Sequence, residues 1–185
     1  MDIQALKCAL SHLDIEDNSA VLKKKSRDFY WFSPILKHEL DHVIGDLMVS
    51  PRNEAELIEV VSVAYRMDVP ITPRGAGTGN YGQAMPLSGG IVLNLLGLNE
   101  ISRPQFGSVV AGAGATFFEI DATTRSQTQQ ELRIFPSTYR TASIGGFVAG
   151  GSGGVGSIRW GGLRDLGNRS EEHTSELQSP MYLVC

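Results

Sequence analysis

Four shortages bound this 185-residue sequence before any motif is read. Cysteine is nearly absent. Cys8 and Cys185 cannot build a disulfide framework, which fits a reducing compartment. No apolar run reaches the length of a membrane-spanning helix. Asp2, Gln4 and Lys7 interrupt the N-terminus where a secretory signal would be apolar, so a cytoplasmic protein is expected. Positive charge is also short: the net charge is -4, and Lys23-Lys24-Lys25 is the one basic block. No electrostatic footprint for nucleic acid follows. Histidine occurs only at His12, His38, His42 and His173, which leaves few metal ligands.

Glycine is what the chain has in excess. Of its 21 glycines, 20 lie between Gly75 and Gly167. Glycine gives positive φ and close backbone approach at an entropic cost, so the second half of the chain is expected to shape backbone around something.

Residues 1–45 read as a helical lead-in, with Ile3, Leu6, Ala9, Leu10 and Leu13 at helical spacing. An aromatic cluster, Phe29-Tyr30-Trp31-Phe32, meets a break at Ser33-Pro34. Alternation follows. Leu47-Met48-Val49 is a short strand, and Asn53 with Glu56 predicts a capped helix burying Leu57, Ile58, Val61, Ala64 and Tyr65. Strands are expected at 69–73 and 91–95. A second unit opens at 108–112 and continues with a helix from Phe117 to about Gln130, capped by Thr116 with Glu119. Ile134-Phe135-Pro136 is a short edge, and the glycine-rich segment 143–162 is expected to wrap or turn. Two α/β units without long linkers predict one domain of two lobes.

The loop from Pro73 to Gly82 contains G-x-G-x-x-G at Gly77–Gly82. A dinucleotide fingerprint of the Rossmann type needs a helix after it. The eight residues from Gln83 to Gly90 hold Pro86 and Gly89-Gly90, too short and too broken for a crossover helix. Two readings stay open: a tight glycine turn, or a nest whose successive N–H groups bind an anion without a helix.

Pro73-Arg74-Gly75-Ala76-Gly77-Thr78-Gly79, Gly89-Gly90-Ile91-Val92-Leu93, Phe135-Pro136-Ser137 and Ser143-Ile144-Gly145-Gly146 form an ordered series. That series resembles the FAD-binding (PCMH-type) domain of the vanillyl-alcohol oxidase and p-cresol methylhydroxylase superfamily, on the branch of the glycolate oxidase D-subunit and D-lactate dehydrogenase. The resemblance covers about residues 26–168. It implies an α+β fold of two α/β subdomains with FAD between them. It places the pyrophosphate on Arg74, Gly75, Ala76, Gly77, Thr78, Gly79 and Asn80. It passes Pro136, Ser137, Thr141, Ser143, Gly145 and Gly146 along the ribose, pyrophosphate and isoalloxazine, with Gly150 and Gly151 allowing a close turn. The hydroxyls of Thr141 and Ser143 suit phosphate or ring oxygens. A flexible linker is the other reading of 145–156, although Phe147, Val148 and Val155 interrupt it with apolar side chains. Covalently flavinylated relatives carry a histidine in or after the loop; Thr78 stands in that region here, so FAD is expected to be noncovalent. Phe147 stands where many relatives have asparagine.

The organisation expected from this resemblance is a lead-in at 1–45 and an FAD-binding domain at 46–168. Its function is that of a flavin-dependent oxidoreductase acting on a 2-hydroxy acid such as glycolate or D-lactate, with an iron-sulfur partner subunit as a further implied partner. Arg169–Ser179 resembles the translation of a sequencing-library adapter, and Pro180–Cys185 fits the same origin. Residues 169–185 are therefore expected to be a non-native tail. The second subdomain is then truncated after Asn168, the substrate domain is missing, and the fragment is expected to be inactive as given. No catalytic residue is assigned.

Two readings from other classes stand beside this one. His38-Glu39-Leu40-Asp41-His42 matches H-E-x-x-H, in which two imidazoles one helical turn apart hold zinc and the glutamate activates water. That would make a zinc metallohydrolase, although Met48 occupies the third-ligand position and a thioether is a poor zinc ligand. The bland reading is a polar helix end. The other alternative is a noncatalytic FAD-binding module. Cys8 is expected to be a small buried residue, and Trp31 and Trp160 are expected to pack.

Overall fold

A computed structural model describes residues 2–163 and the strand 181–184. The chain divides into two compact units, residues 1–98 and 99–185.

In the first unit the lead-in is part of the fold. Helix α1 (Ile3–Ala9) starts at Asp2, whose carboxylate accepts from the Gln4 and Ala5 N–H groups. Strand β1 (Ile15–Glu16) and helix α2 (Ser19–Lys25), capped by Asn18, follow. Helix α3 (Pro34–Leu40) begins with proline in its first turn, where the missing N–H costs nothing. Strand β2 (Leu47–Val49), helix α4 (Glu54–Arg66), β3 (Ile71–Arg74) and β4 (Ile91–Asn94) complete the unit.

These strands form one sheet in the order β1-β2-β4-β3. β1 runs antiparallel to β2, with Ile15 opposite Val49; the other pairs are parallel, with Leu47 and Ile71 both opposite Ile91. The period of two along a strand sorts the buried residues between faces. Leu47, Val49, Ile91 and Leu93 share a core with Leu6 and Leu10 of α1 and Val60, Val63 and Ala64 of α4. Met48 and Val92 turn the other way and cluster with Leu22 of α2. Each fully buried leucine of that set contributes about 1.5–3 kcal/mol.

Helix α4 is turned by about one position from the sequence expectation. Tyr65 is 88% exposed and Ile58 is exposed, while Val60 and Val63 are buried. Asn53 accepts from the Glu56 N–H, but the Glu56 carboxylate accepts from the Arg52 N–H and the Asn53 side-chain amide, so the reciprocal backbone bond of a capping box is not made. Cys8 is exposed, not buried.

The second unit contains β5 (Ser108–Ala111), α5 (Phe117–Thr128), α6 (Ile144–Ala149), α7 (Ser157–Trp160) and β6 (Met181–Val184). β5 pairs antiparallel with β6, and residues 164–180 of the expected tail and its approach lie outside the described residues. Thr116 and Glu119 form the complete capping box that the sequence predicts. Phe117 and Ile120 of α5 pack with Ile144, Phe147 and Val148 of α6 in one core.

Segment 143–162 forms two short helices instead of only turns. Gly145 shows why α6 tolerates glycine. A Cβ there would lie 2.8 Å from the Ala113 carbonyl oxygen, which instead accepts the Gly145 N–H at 2.9 Å. The helix packs closely because the side chain is missing. Phe135 forms an isolated bridge with Val155 where the short edge was expected. Among the described residues no helix is long and apolar enough to cross a membrane.

Candidate FAD-binding site

The connection from β3 to β4 is irregular backbone throughout residues 75–90, although the two strands are parallel neighbours. Geometry of that kind must be imposed by side chains, because no helix ladder fixes it. Here a short segment of the lead-in imposes it. The Arg27 carbonyl accepts from Arg74 Nη1 at 2.6 Å. The Asp28 carboxylate, 2% exposed, accepts through Oδ2 from the Gly82 N–H at 2.9 Å and the Gln83 N–H at 3.2 Å. Its Oδ1 accepts from the Tyr30 N–H at 2.9 Å. The Phe29 N–H donates to the Gly79 carbonyl at 2.8 Å. Three consecutive residues thus hold the two ends and the middle of the glycine loop.

The apex of the loop is Gly77, at φ +68°. Only glycine enters that region without strain. A Cβ at Gly77 would also lie 2.0 Å from Arg74 Nη2, so the guanidinium packs directly against the loop backbone. Arg74 is 8% exposed. Burial pulls its guanidinium below its ordinary value, and the charge of Asp28 works in the opposite direction. With Arg74 beneath and Asp28 at the rear, the N–H groups from Gly75 to Asn80 find no protein acceptor among the described residues. Gly75 to Gly79 are half-buried and Asn80 is exposed, so these donors are open to water or to an anion beside the positive φ of Gly77. Within residues 75–80 no N–H is closed on a carbonyl of the loop itself.

In the second unit, Pro136 and Ser143 are buried while Ser137, Thr141, Gly146, Gly150 and Gly151 are exposed. Thr141 Oγ1 donates to the Thr138 carbonyl at 3.3 Å. Ser143 is the N-cap residue of α6, yet its hydroxyl makes no capping bond. Gly146 lies beside that hydroxyl, with Ser143 Oγ 3.2 Å from where its Cβ would be. Gly151 takes a positive φ of 60° after the helix. Ser143 and Gly146 therefore share the N-terminal end of α6, whereas Gly150 and Gly151 lie at its C-terminal end.

Sequence reasoning missed the lead-in residues Arg27, Asp28 and Phe29 as loop supports. No signal in their spacing links them to a loop some fifty positions on; only the fold does. Trp160 packs on the second core as expected, with Arg159 over its ring at 4.8 Å. H-E-x-x-H does not run along one helix, since α3 ends at Leu40 and His42 lies in the turn beyond it. His38 Nδ1 sits 3.1 Å from its neighbour Glu39. Among the described residues no three His, Cys, Asp or Glu side chains gather as a metal site.

The FAD binding domain family matches residues 45–168. D-lactate dehydrogenase of Archaeoglobus fulgidus is 31% identical over 121 residues, covering 64% of this chain and 27% of that protein. Glycolate oxidase subunit GlcD of Bacillus subtilis is 28% identical over 124 residues, 65% of this chain and 26% of the relative. The chain thus spans about a quarter of the length of the curated relatives it matches. Among solved structures, an alkyldihydroxyacetonephosphate synthase superposes with a TM-score of 0.77 at 18% identity, over 90% of this chain and 33% of that one. p-Cresol methylhydroxylase superposes with a TM-score of 0.65 at 16% identity, over 79% and 28%. These likenesses show the fold, a mixed α+β architecture of two subdomains of the PCMH type. On the family match over residues 45–168, the chain belongs to the FAD binding domain family.

Proposed function

We propose that this chain is the FAD-binding part of a flavin-dependent oxidoreductase that oxidises a 2-hydroxy acid, such as glycolate or D-lactate. The observation that carries the reading is the run of N–H groups from Gly75 to Asn80, around the positive φ of Gly77, that find no protein acceptor among the described residues. It suits the pyrophosphate of FAD. The names of the matched relatives, D-lactate dehydrogenase and glycolate oxidase subunit GlcD, support the substrate class.

FAD supplies the hydride-accepting chemistry when bound; the protein binds and orients it. Arg74 and Asp28 would hold the loop so that its N–H groups converge without reorganising. Pro136, Ser137, Thr141, Ser143, Gly145 and Gly146 would line the rest of the cofactor, with Gly150 and Gly151 giving it a close turn. FAD is held noncovalently, since Thr78 stands in the loop and no histidine occurs between His42 and His173. The substrate would be held by a C-terminal domain beyond these residues, and an iron-sulfur subunit is a suitable electron-accepting partner. The setting is cytoplasmic.

Two measurements on the full-length protein test this. Acid precipitation should leave the flavin in the supernatant; yellow colour that stays with the pellet contradicts the noncovalent mode. Anaerobic addition of glycolate or D-lactate should bleach the flavin absorbance. An oxidised flavin that no 2-hydroxy acid bleaches contradicts the substrate class.

A further inference from the structure

The segment that supports the glycine loop, residues 27–29, is itself irregular backbone between the end of α2 and the short turn Tyr30–Phe32. A segment with no ladder of its own holds a loop in place only if something else fixes it. Its other ties run to the end of α3 and the residues just after it. Arg27 Nη2 donates to the Asp41 backbone carbonyl at 2.9 Å and pairs with the Asp41 carboxylate at 3.0 Å. The hydroxyl of the fully buried Tyr30 donates to the same carboxylate oxygen at 3.3 Å. The buried Ser26 hydroxyl accepts from the Gly45 N–H at 2.9 Å. Leu40, next to Asp41, lies against the loop: a Cβ at Gly82, where φ is +76°, would meet Leu40 Cδ1 at 2.7 Å.

Asp41 is the C-cap residue of α3. The last carbonyls of a helix lack N–H partners, and a cation is favoured beside them. An isolated surface ion pair contributes little. This pair differs because Arg27 has few other partners. Its side chain is 23% exposed, and its buried Nε has no hydrogen-bond partner among the described residues. Without the Asp41 carboxylate, the charged end of Arg27 keeps one protein acceptor among the described residues, the Asp41 carbonyl. A guanidinium short of acceptors turns toward water. The backbone of Arg27 moves with it, and that backbone carries the carbonyl that accepts from Arg74 at 2.6 Å. Arg74 in turn packs against Gly77.

We infer that Asp41 is a positioning residue for the glycine loop: by pinning Arg27 it fixes the carbonyl on which Arg74 rests, and so the backbone at Gly77. Its consequence for the cofactor rests on the reading of that loop as the seat of FAD. The role goes beyond that reading, because it assigns the loop's order to a residue outside the loop and outside the segment that touches it. It also gives the H-E-x-x-H segment a function through its aspartate and not through its histidines.

The test follows the full-length protein in two ways: amide hydrogen exchange over residues 74–84 without FAD, and the FAD dissociation constant. Compared are the native protein, Asp41→Ala, Arg27→Met, the double variant, and Glu39→Gln, which removes a neighbouring exposed carboxylate. The Asp41 side chain is 50% exposed, so Asp41→Ala should fold, as circular dichroism would verify. In Asp41→Ala, exchange over residues 74–84 should quicken while exchange in α1, α4 and α5 keeps its native rate. FAD affinity should fall about fivefold. Glu39→Gln should match the native protein in both readings. Because Asp41 acts through Arg27, the double variant should fall well short of the sum of the two single effects. Loop exchange that is unchanged in Asp41→Ala overturns the inference, even where native FAD binding upholds the loop reading. So does exchange that quickens evenly across the first unit, as a merely structural role would give, and so does a strictly additive double variant. A native protein that binds no FAD, while its loop exchange still responds to Asp41, overturns the loop reading and leaves the anchoring by Asp41 standing.

Discussion

At the scale of single residues, the support of the loop depends on Asp28 more than on any residue within the loop motif. Its two oxygens accept from three backbone N–H groups, two of them inside the loop. Asp28→Asn keeps the shape but places an NH₂ group against at least one N–H donor. Hydrogen bonds to a charged group are worth about 1.5–3 kcal/mol each, so the variant should lose about 2–3 kcal/mol in denaturant unfolding. It should also bind FAD more weakly. A variant as stable as the native protein with unchanged FAD affinity would remove Asp28 from the account. The sequence displayed the glycines plainly, since few other residues enter positive φ. It concealed Asp28, because a lone aspartate before an aromatic cluster has no period or motif to mark it. Cys8 shows the reverse error: its residue type is usually buried, yet α1 turns it outward.

At the scale of elements, capping was legible and helix rotation was not. Thr116 and Glu119 form their box as the spacing requires. Thr116→Ala should therefore cost about 1 kcal/mol, read as a lower denaturant midpoint with an unchanged slope. Helix α4 is apolar on more than one face, so its sequence allowed either Tyr65 or Val63 to point inward; the packing of α1 chose Val63. The α5 helix carries a second device that spacing did not reveal. Asp121 accepts from the Leu132 N–H at 2.9 Å and the Tyr139 hydroxyl at 2.8 Å, and pairs with Arg125. Burial works to raise its pKa, but the Arg125, Leu132 and Tyr139 hydrogen bonds outweigh it and hold the carboxyl below its ordinary value. A depressed folded-state value means stability that is complete above the ordinary value of 3.8 and lost as pH falls through the lower folded value. Acid titration of unfolding should show that loss, and Asp121→Asn should flatten it while lowering stability at neutral pH. An unchanged acid limb in the variant would contradict the network's role.

At the scale of the whole molecule, fold class and family were legible because several ordered motifs agreed, though each one alone was weak. The family match begins at residue 45, where the lead-in was expected to end, but the packing of the lead-in was not legible. Its helices read as a preface, whereas Leu6, Leu10 and Ile15 join the core and sheet of the first unit. The central claim is that the loop at Gly77 holds the pyrophosphate of FAD. Its most direct test is the FAD dissociation constant of Gly77→Ala set against Gly107→Ala in the full-length protein. Both glycines have positive φ, +68° and +84°, so both substitutions carry the same kind of backbone strain. They differ in surroundings: a Cβ at Gly77 would meet Arg74 at 2.0 Å, and one at Gly107 would meet nothing within 4 Å. The account predicts that FAD affinity falls at least about tenfold, or about 1.4 kcal/mol, in Gly77→Ala and stays at the native value in Gly107→Ala. Equal FAD affinities for Gly77→Ala and the native protein would contradict it.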